Sequence, residues 1–125
     1  MTDQGEKKVL VVDDSATMRM LITMTIKKSI SGVSVIEALN GADAQDKLQS
    51  NKVDLVLTDV NMPKMNGWEL VKWIRSSHSK DIPVVIITTE GAEEEIEEGK
   101  ALGANAYITK PVKSQELKDT IQGLL

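Results

Sequence analysis

Five short apolar runs alternate with stretches of helical spacing along the chain, and that alternation restricts the fold more than anything else in its 125 residues. Val9–Val12, Ser34–Ala38, Leu55–Thr58, Val84–Ile87 and Ala106–Thr109 are each four or five residues long and rich in β-branched types, so they read as buried strands, the second the weakest. Between them Met18, Leu21, Ile22 and Ile26 fall on one side of a helix. Ala44 with Leu48, then Leu70, Val71 and Ile74, then Leu117, Ile121 and Leu124 repeat the pattern. Asn40-Gly41 marks the turn into the second helix, Pro83 opens the fourth strand, and Gly103 closes a helix running from about Ala92 to Leu102. Strands that are apolar on both faces belong in a parallel sheet covered by helices on both sides. Right-handed crossovers leave few ways to wind such a sheet. One doubly wound order, 2-1-3-4-5, sets the first and third strands side by side at the switch point where ligands bind.

The length predicts one domain over 1–125, with a polar tail at 1–7. Its core must be built from Val, Ile, Leu, Met and Ala, because the chain has no Phe, one Tyr (Tyr107) and two Trp (Trp68, Trp73). The absence of Cys excludes disulfides and thiol chemistry. The apolar runs fall far short of the about 18 residues needed to span a bilayer, and Met1–Lys8 has no signal-peptide segment. The expectation is a soluble, cytoplasmic protein with no membrane contact. A net charge of −4 supplies no basic face, so a nucleic-acid partner is not expected either.

Polar residues of matched chemistry close the strands. Asp13 and Asp14 follow the first, Asp59 the third, Thr88 the fourth and Lys110 the fifth. In the order 2-1-3-4-5 all of them meet at the carboxyl edge. Clustered carboxylates repel, and a bound cation or a lysine relieves them. Asp13 and Asp14 can hold a hard divalent cation, for which Mg²⁺ suits a small octahedral site that keeps several waters. Asp59 can complete that site or attack phosphorus as a carboxylate nucleophile. Lys110 offers a point charge, and Thr88 a hydroxyl, to phosphoryl oxygens. Each residue alone has an ordinary role open to it: Asp13 or Asp14 could cap a helix beginning near Ser15, Asp59 could start a turn, Thr88 could be a plain strand residue and Lys110 a solvated lysine. Five such coincidences on one edge argue for a site. Elsewhere the acidic run Glu93–Glu98 reads as a solvated helix start, His78 as a loop residue, and Met62 and Met65 as packing.

The stretches Val11-Val12-Asp13-Asp14-Ser15, Asp59-Val60-Asn61-Met62-Pro63-Lys64-Met65-Asn66-Gly67, Ile87-Thr88-Thr89 and Lys110-Pro111 resemble, in this order, the receiver domains of two-component response regulators. The likeness runs from Lys8 to about Leu124 and is to stand-alone chemotaxis regulators of the CheY type. It implies the flavodoxin-like (βα)5 architecture. It further implies that Asp59 is the phosphoacceptor, fed by a histidine kinase, and that Asp14, Asp59 and the Asn61 backbone carbonyl ligate Mg²⁺ directly while Asp13 acts through a bound water. By the same resemblance Lys110 and Thr88 contact the phosphoryl group, Tyr107 is the switch aromatic, Lys110-Pro111 is a cis peptide, and Asn61 and Glu90 tune the lifetime of the phosphorylated state. Such a protein is not an enzyme turning over a released substrate. It undergoes self-catalysed transfer and autodephosphorylation, acts as a monomer, and is read by a downstream target on the face of the fourth helix, fifth strand and fifth helix. Val112 departs from the Phe that the family often has after Lys-Pro.

Other functions compatible with the residues are a phosphorelay shuttle, a receiver excised from a longer regulator, and a scaffold module that works unphosphorylated. A Mg²⁺-dependent phosphatase with an aspartyl nucleophile would need a second acid two residues on, where Asn61 stands.

Overall fold

The computed structural model describes residues 6–60, 62, 65–88 and 93–125. The chain runs β1 (Lys7–Val12), α1 (Ala16–Ser29), β2 (Val33–Ala38), α2 (Gly41–Ser50), β3 (Leu55–Asp59), α3 (Gly67–Trp73) continued by a π-helical turn (Ile74–His78), β4 (Val84–Thr88), α4 (Glu93–Leu102), β5 (Ala106–Thr109) and α5 (Ser114–Leu124). The strands form one parallel sheet in the order β2-β1-β3-β4-β5. This is the doubly wound α/β architecture expected from the alternation of the apolar runs.

Period-two alternation along the strands divides the core into two layers. Leu10, Val12, Val56, Val84 and Ile86 face a layer completed by Ala44 and Leu48 from α2, Leu70 and Val71 from α3, and Ile74 from the π-helical turn. Val9, Val11, Leu55, Leu57, Val85, Ile87 and Ile108 face the other, completed by Ile22, Ile26, Leu117 and Ile121 from α1 and α5. β3 and β4 are buried at every residue, which is why they read as unbroken apolar runs. Each fully buried Val, Leu or Ile contributes about 1.5–3 kcal/mol of transfer free energy. Met62 is buried and Met65 packs against the same layer, so both serve as packing.

Three helix starts carry side-chain caps. Ser15 accepts from Met18 N–H, and Asn40 accepts from Asp43 N–H. At α3, Asn66 and Glu69 form a reciprocal capping box. The cap of α1 is thus Ser15 rather than Asp13 or Asp14.

Three local expectations need correction. β1 begins at Lys7, inside the supposed 1–7 tail, because backbone pairing with β2 does not require an apolar side chain: Lys7 N–H donates to Gly32 O at 2.9 Å. Leu21 is 55% exposed, and the buried stripe of α1 is Ile22, Thr23 and Ile26. His78 is no loop residue. It ends the π-helical turn, where Ser79 N–H donates to Ile74 O, and its ring stacks on Trp73 with centroids 5.7 Å apart. α4 runs Glu93–Leu102, and the solvated-face expectation falls partly on the side chains of 93–95 and 98, which lie outside the described residues.

Arg75 ties the far end of the sheet together. Its guanidinium donates to Gly103 O at 3.0 Å, Ser79 O at 3.2 Å and Asn105 Oδ1 at 2.8 Å, and that same Oδ1 accepts Val84 N–H at 2.9 Å. One side chain thereby satisfies carbonyls at the ends of α4 and the π-helical turn. No helix among the described residues is long and apolar enough to cross a membrane.

Candidate functional site: an acidic crevice at the carboxyl edge

β1 and β3 are direct neighbours, with Val12 paired to Thr58. The next residue on each strand is therefore an acid, and Asp13, Asp14 and Asp59 offer carboxylate oxygens within 4.8 Å of one another. Asp13 and Asp59 are buried and Asp14 is exposed. β4 follows β3 in the sheet and ends at Thr88, whose side chain is buried. β5 follows β4, and Lys110 N–H donates to Thr88 O at 2.7 Å just beyond the last paired residues. Lys110 Nζ lies 3.3 Å from Asp59 Oδ1, the oxygen that also accepts Val60 N–H at 2.8 Å. The Lys110–Pro111 peptide is cis. Asp13, Asp14, Asp59 and Lys110 thus meet in one crevice, with Thr88 on its wall. Tyr107 sits on β5, half-buried against the α2–α3 layer. Asn61 and Glu90 lie outside the described residues.

Asp13 is the strained member. Its Oδ1 accepts Ser15 N–H at 2.9 Å, whereas Oδ2 is buried with no hydrogen-bond partner. Burial raises its pKa above the ordinary carboxylate value, helped by the negative charges of Asp59 and Asp14 and opposed by the Ser15 N–H and by Lys110. A buried orphan oxygen beside two further carboxylates is an all-oxygen donor set suited to a hard divalent cation.

That strain has a pH signature. With the folded pKa above the unfolded one, Asp13 contributes stability that is present when it is protonated and lost as pH rises through the folded value. Lowering the pH of the metal-free protein through that folded value should therefore restore the Asp13 contribution. Asp13→Asn, which puts an amide nitrogen where the orphan oxygen stands, should flatten this slope and add about 1 kcal/mol at pH 7 in EDTA. Urea titrations across pH check it, and parallel pH slopes for parent and variant would refute the assignment.

Two positioning residues escaped the sequence reading. Arg19 of α1 donates to Asp13 O at 2.6 Å and pairs with Glu37 of β2 at 3.2 Å, fixing the acid-bearing turn from both sides. Gly67 opens α3 directly beneath β3: a Cβ there would collide with Asp59 O and lie 2.9 Å from Val60 Cα. The Arg19 contacts are long-range and leave no local trace. Gly67 did stand within the Asn66-Gly67 motif.

The sequence model of the response regulator receiver domain matches residues 9–122. The chain belongs to the response regulator receiver family. The chemotaxis protein CheY1 of Helicobacter pylori is 44% identical over 120 residues, covering 94% of this chain and 96% of its own. The structure of chemotaxis protein CheY4 of Vibrio cholerae superimposes with a TM-score of 0.87 at 39% identity, covering 96% of this chain and 99% of the other. Protein PilH of Pseudomonas aeruginosa is 36% identical over 119 residues, covering 94% and 97%. This receiver is of the CheY type, in a family of two-component signalling proteins rather than enzymes of metabolic turnover.

Proposed function

We propose that this receiver domain accepts a phosphoryl group on Asp59 from the phosphohistidine of a histidine kinase and that the modification switches a protein-binding face, in chemotaxis. The observation that carries this reading is the placement of Lys110 Nζ 3.3 Å from Asp59 Oδ1 beside the Asp13–Asp14–Asp59 cluster. A carboxylate flanked by one lysine and two further acids has little structural use at a sheet edge, but it can receive a phosphoryl group once those acids are neutralised.

The chemistry divides among the residues. An Asp59 oxygen attacks phosphorus in line, the P–N bond to the donor imidazole breaks, and a P–O bond to Asp59 forms. Lys110, already at Asp59, compensates charge on the phosphoryl oxygens. Thr88 turns its hydroxyl to another of them after transfer. Asp13, Asp14 and Asp59, with the Asn61 carbonyl, are the residues that would hold Mg²⁺, Asp13 through a water. When bound, Mg²⁺ neutralises the phosphoryl oxygens and orients them for in-line transfer. Loss of the signal reverses the bond: water attacks phosphorus and the Asp59 carboxylate leaves. Asn61 and Glu90 are the positions proposed to set how fast that happens. Movement of Thr88 is relayed to Tyr107, so that the α4–β5–α5 face presents a different surface to a downstream target. Chemotaxis is supported by the likeness to the chemotaxis proteins CheY1 and CheY4, and a cytoplasmic location goes with that role.

The parent chain incubated with acetyl phosphate and Mg²⁺ should gain the mass of a single phosphoryl group, mapped to the peptide holding Asp59, and should gain none when EDTA replaces the metal. A parent that stays unmodified with Mg²⁺ present would sink the proposal.

A further inference from the structure

Tyr107 is held from α4 by a charge. The ammonium of Lys100, an exposed residue in the last turn of that helix, lies 5.1 Å from the centroid of the Tyr107 ring, within range of a cation–π contact. Lys100 is the one basic residue in Glu93–Leu102, and the carboxylate of Glu97, one turn earlier, competes for it. The preceding residue, Gly99, faces α3 instead. The Trp68 indole fills the space a side chain would take: a Cβ on Gly99 would collide with Trp68 Cζ3 and lie 2.8 Å from Cη2. Two successive residues of α4 are therefore each engaged by an aromatic ring, one from α3 and one from β5. The α3 contact is steric and deep. The β5 contact is electrostatic and at the surface.

We propose that Lys100 is a positioning residue that holds the Tyr107 ring against α4 in the unphosphorylated protein, so that the charge at position 100 sets how readily the ring leaves this pose. The functional consequence rests on the reading of Tyr107 as the switch aromatic. In that reading the ring has a second pose away from α4, and a contact made only in the present pose shifts the balance between them by its own interaction free energy and no more. For an exposed cation–π pair that corresponds to roughly two- to fivefold. Loss of the charge would leave the partner face partly switched before any phosphoryl group arrives.

The chain has a single tyrosine, so 3-fluorotyrosine incorporation places one ¹⁹F probe at position 107 without assignment work. In the unphosphorylated full chain, Lys100→Met, which keeps the length and removes the charge, should move the ¹⁹F signal as the alternative pose rises roughly two- to fivefold. Lys100→Arg should retain the parent signal. Molar salt should move the parent toward the Met variant and leave that variant unchanged. Tryptophan emission, to which Trp68 on Gly99 contributes together with Trp73, should be the same in all three. Identical ¹⁹F spectra for parent and Lys100→Met would overturn the proposal. So would equal shifts in the Met and Arg variants accompanied by altered tryptophan emission, since helix docking rather than charge would then control the ring. These spectra need no phosphoryl group, so a parent that fails to take up phosphate overturns the switch reading alone, and unchanged spectra overturn the Lys100 contact alone.

Discussion

Asp59→Asn will gain no phosphoryl mass from acetyl phosphate and Mg²⁺ under conditions that modify the parent, and it will keep the parent's far-UV circular dichroism. Both halves follow from what Asp59 touches. The amide oxygen can still accept Val60 N–H, as Asp59 Oδ1 does at 2.8 Å, and the side-chain volume is nearly unchanged in a strand buried at all five residues. What disappears is the anionic oxygen proposed to attack phosphorus and the charge that pairs with Lys110 at 3.3 Å. Removing one of three crowded carboxylates also relieves repulsion. The loss of the Lys110 pair offsets that gain, so metal-free stability should stay within about 1 kcal/mol of the parent. A variant that gains the same phosphoryl mass would move the acceptor to another residue.

A methyl group on Gly67 should do more damage to the fold than any charge change at the site. The Cβ of Gly67→Ala would run into the Asp59 carbonyl oxygen and crowd Val60 Cα at 2.9 Å. These are backbone atoms at the end of β3, the strand between β1 and β4, and just beyond it, and they cannot swing aside as a side chain would. Either α3 withdraws, breaking the Gly67 N–H to Val60 O bond of 2.9 Å, or the end of β3 shifts and carries Asp59 with it. Overpacking of this kind costs about 3 kcal/mol, read as a lower urea midpoint. Any stabilisation conferred by Mg²⁺ at the proposed site should shrink as well, because Asp59 is displaced. Gly123→Ala is the control. A Cβ there meets nothing within 4 Å, and it lies within α5, so it should add up to about 1 kcal/mol from helix propensity. Equal midpoints for Gly67→Ala and the parent would show that the strand end yields at no cost.

The parts of this molecule legible in the sequence are those written in local chemistry. Five apolar runs located the strands, handedness and neighbour rules narrowed their order, and the polar residues after four of those runs marked the carboxyl edge where Asp13, Asp14, Asp59 and Lys110 meet. The parts not legible depend on pairs far apart in the chain or on backbone alone. Arg19 reaches the Asp13 carbonyl and Glu37 only because α1 folds back over β1 and β2. Lys7 is polar yet joins β1 because a ladder bond asks nothing of its side chain. The widened turn that carries His78 follows Trp73 without a Gly or Pro to announce it. Leu21 has the spacing of a core residue yet stays exposed, because α1 is broader in apolar residues than the strip it buries.

The division of the core into two layers has an optical consequence. Trp68, Trp73 and Tyr107 are all the fluorescent residues the chain has, and all three pack on the layer beneath α2 and α3. The layer beneath α1 and α5 is wholly aliphatic among the described residues. Intrinsic fluorescence therefore watches one side of the sheet and is blind to the other, while far-UV dichroism weighs both. If the two signals melt together, the layers form one cooperative unit; if they separate, the gap between the curves measures how loosely the sheet couples its two sides.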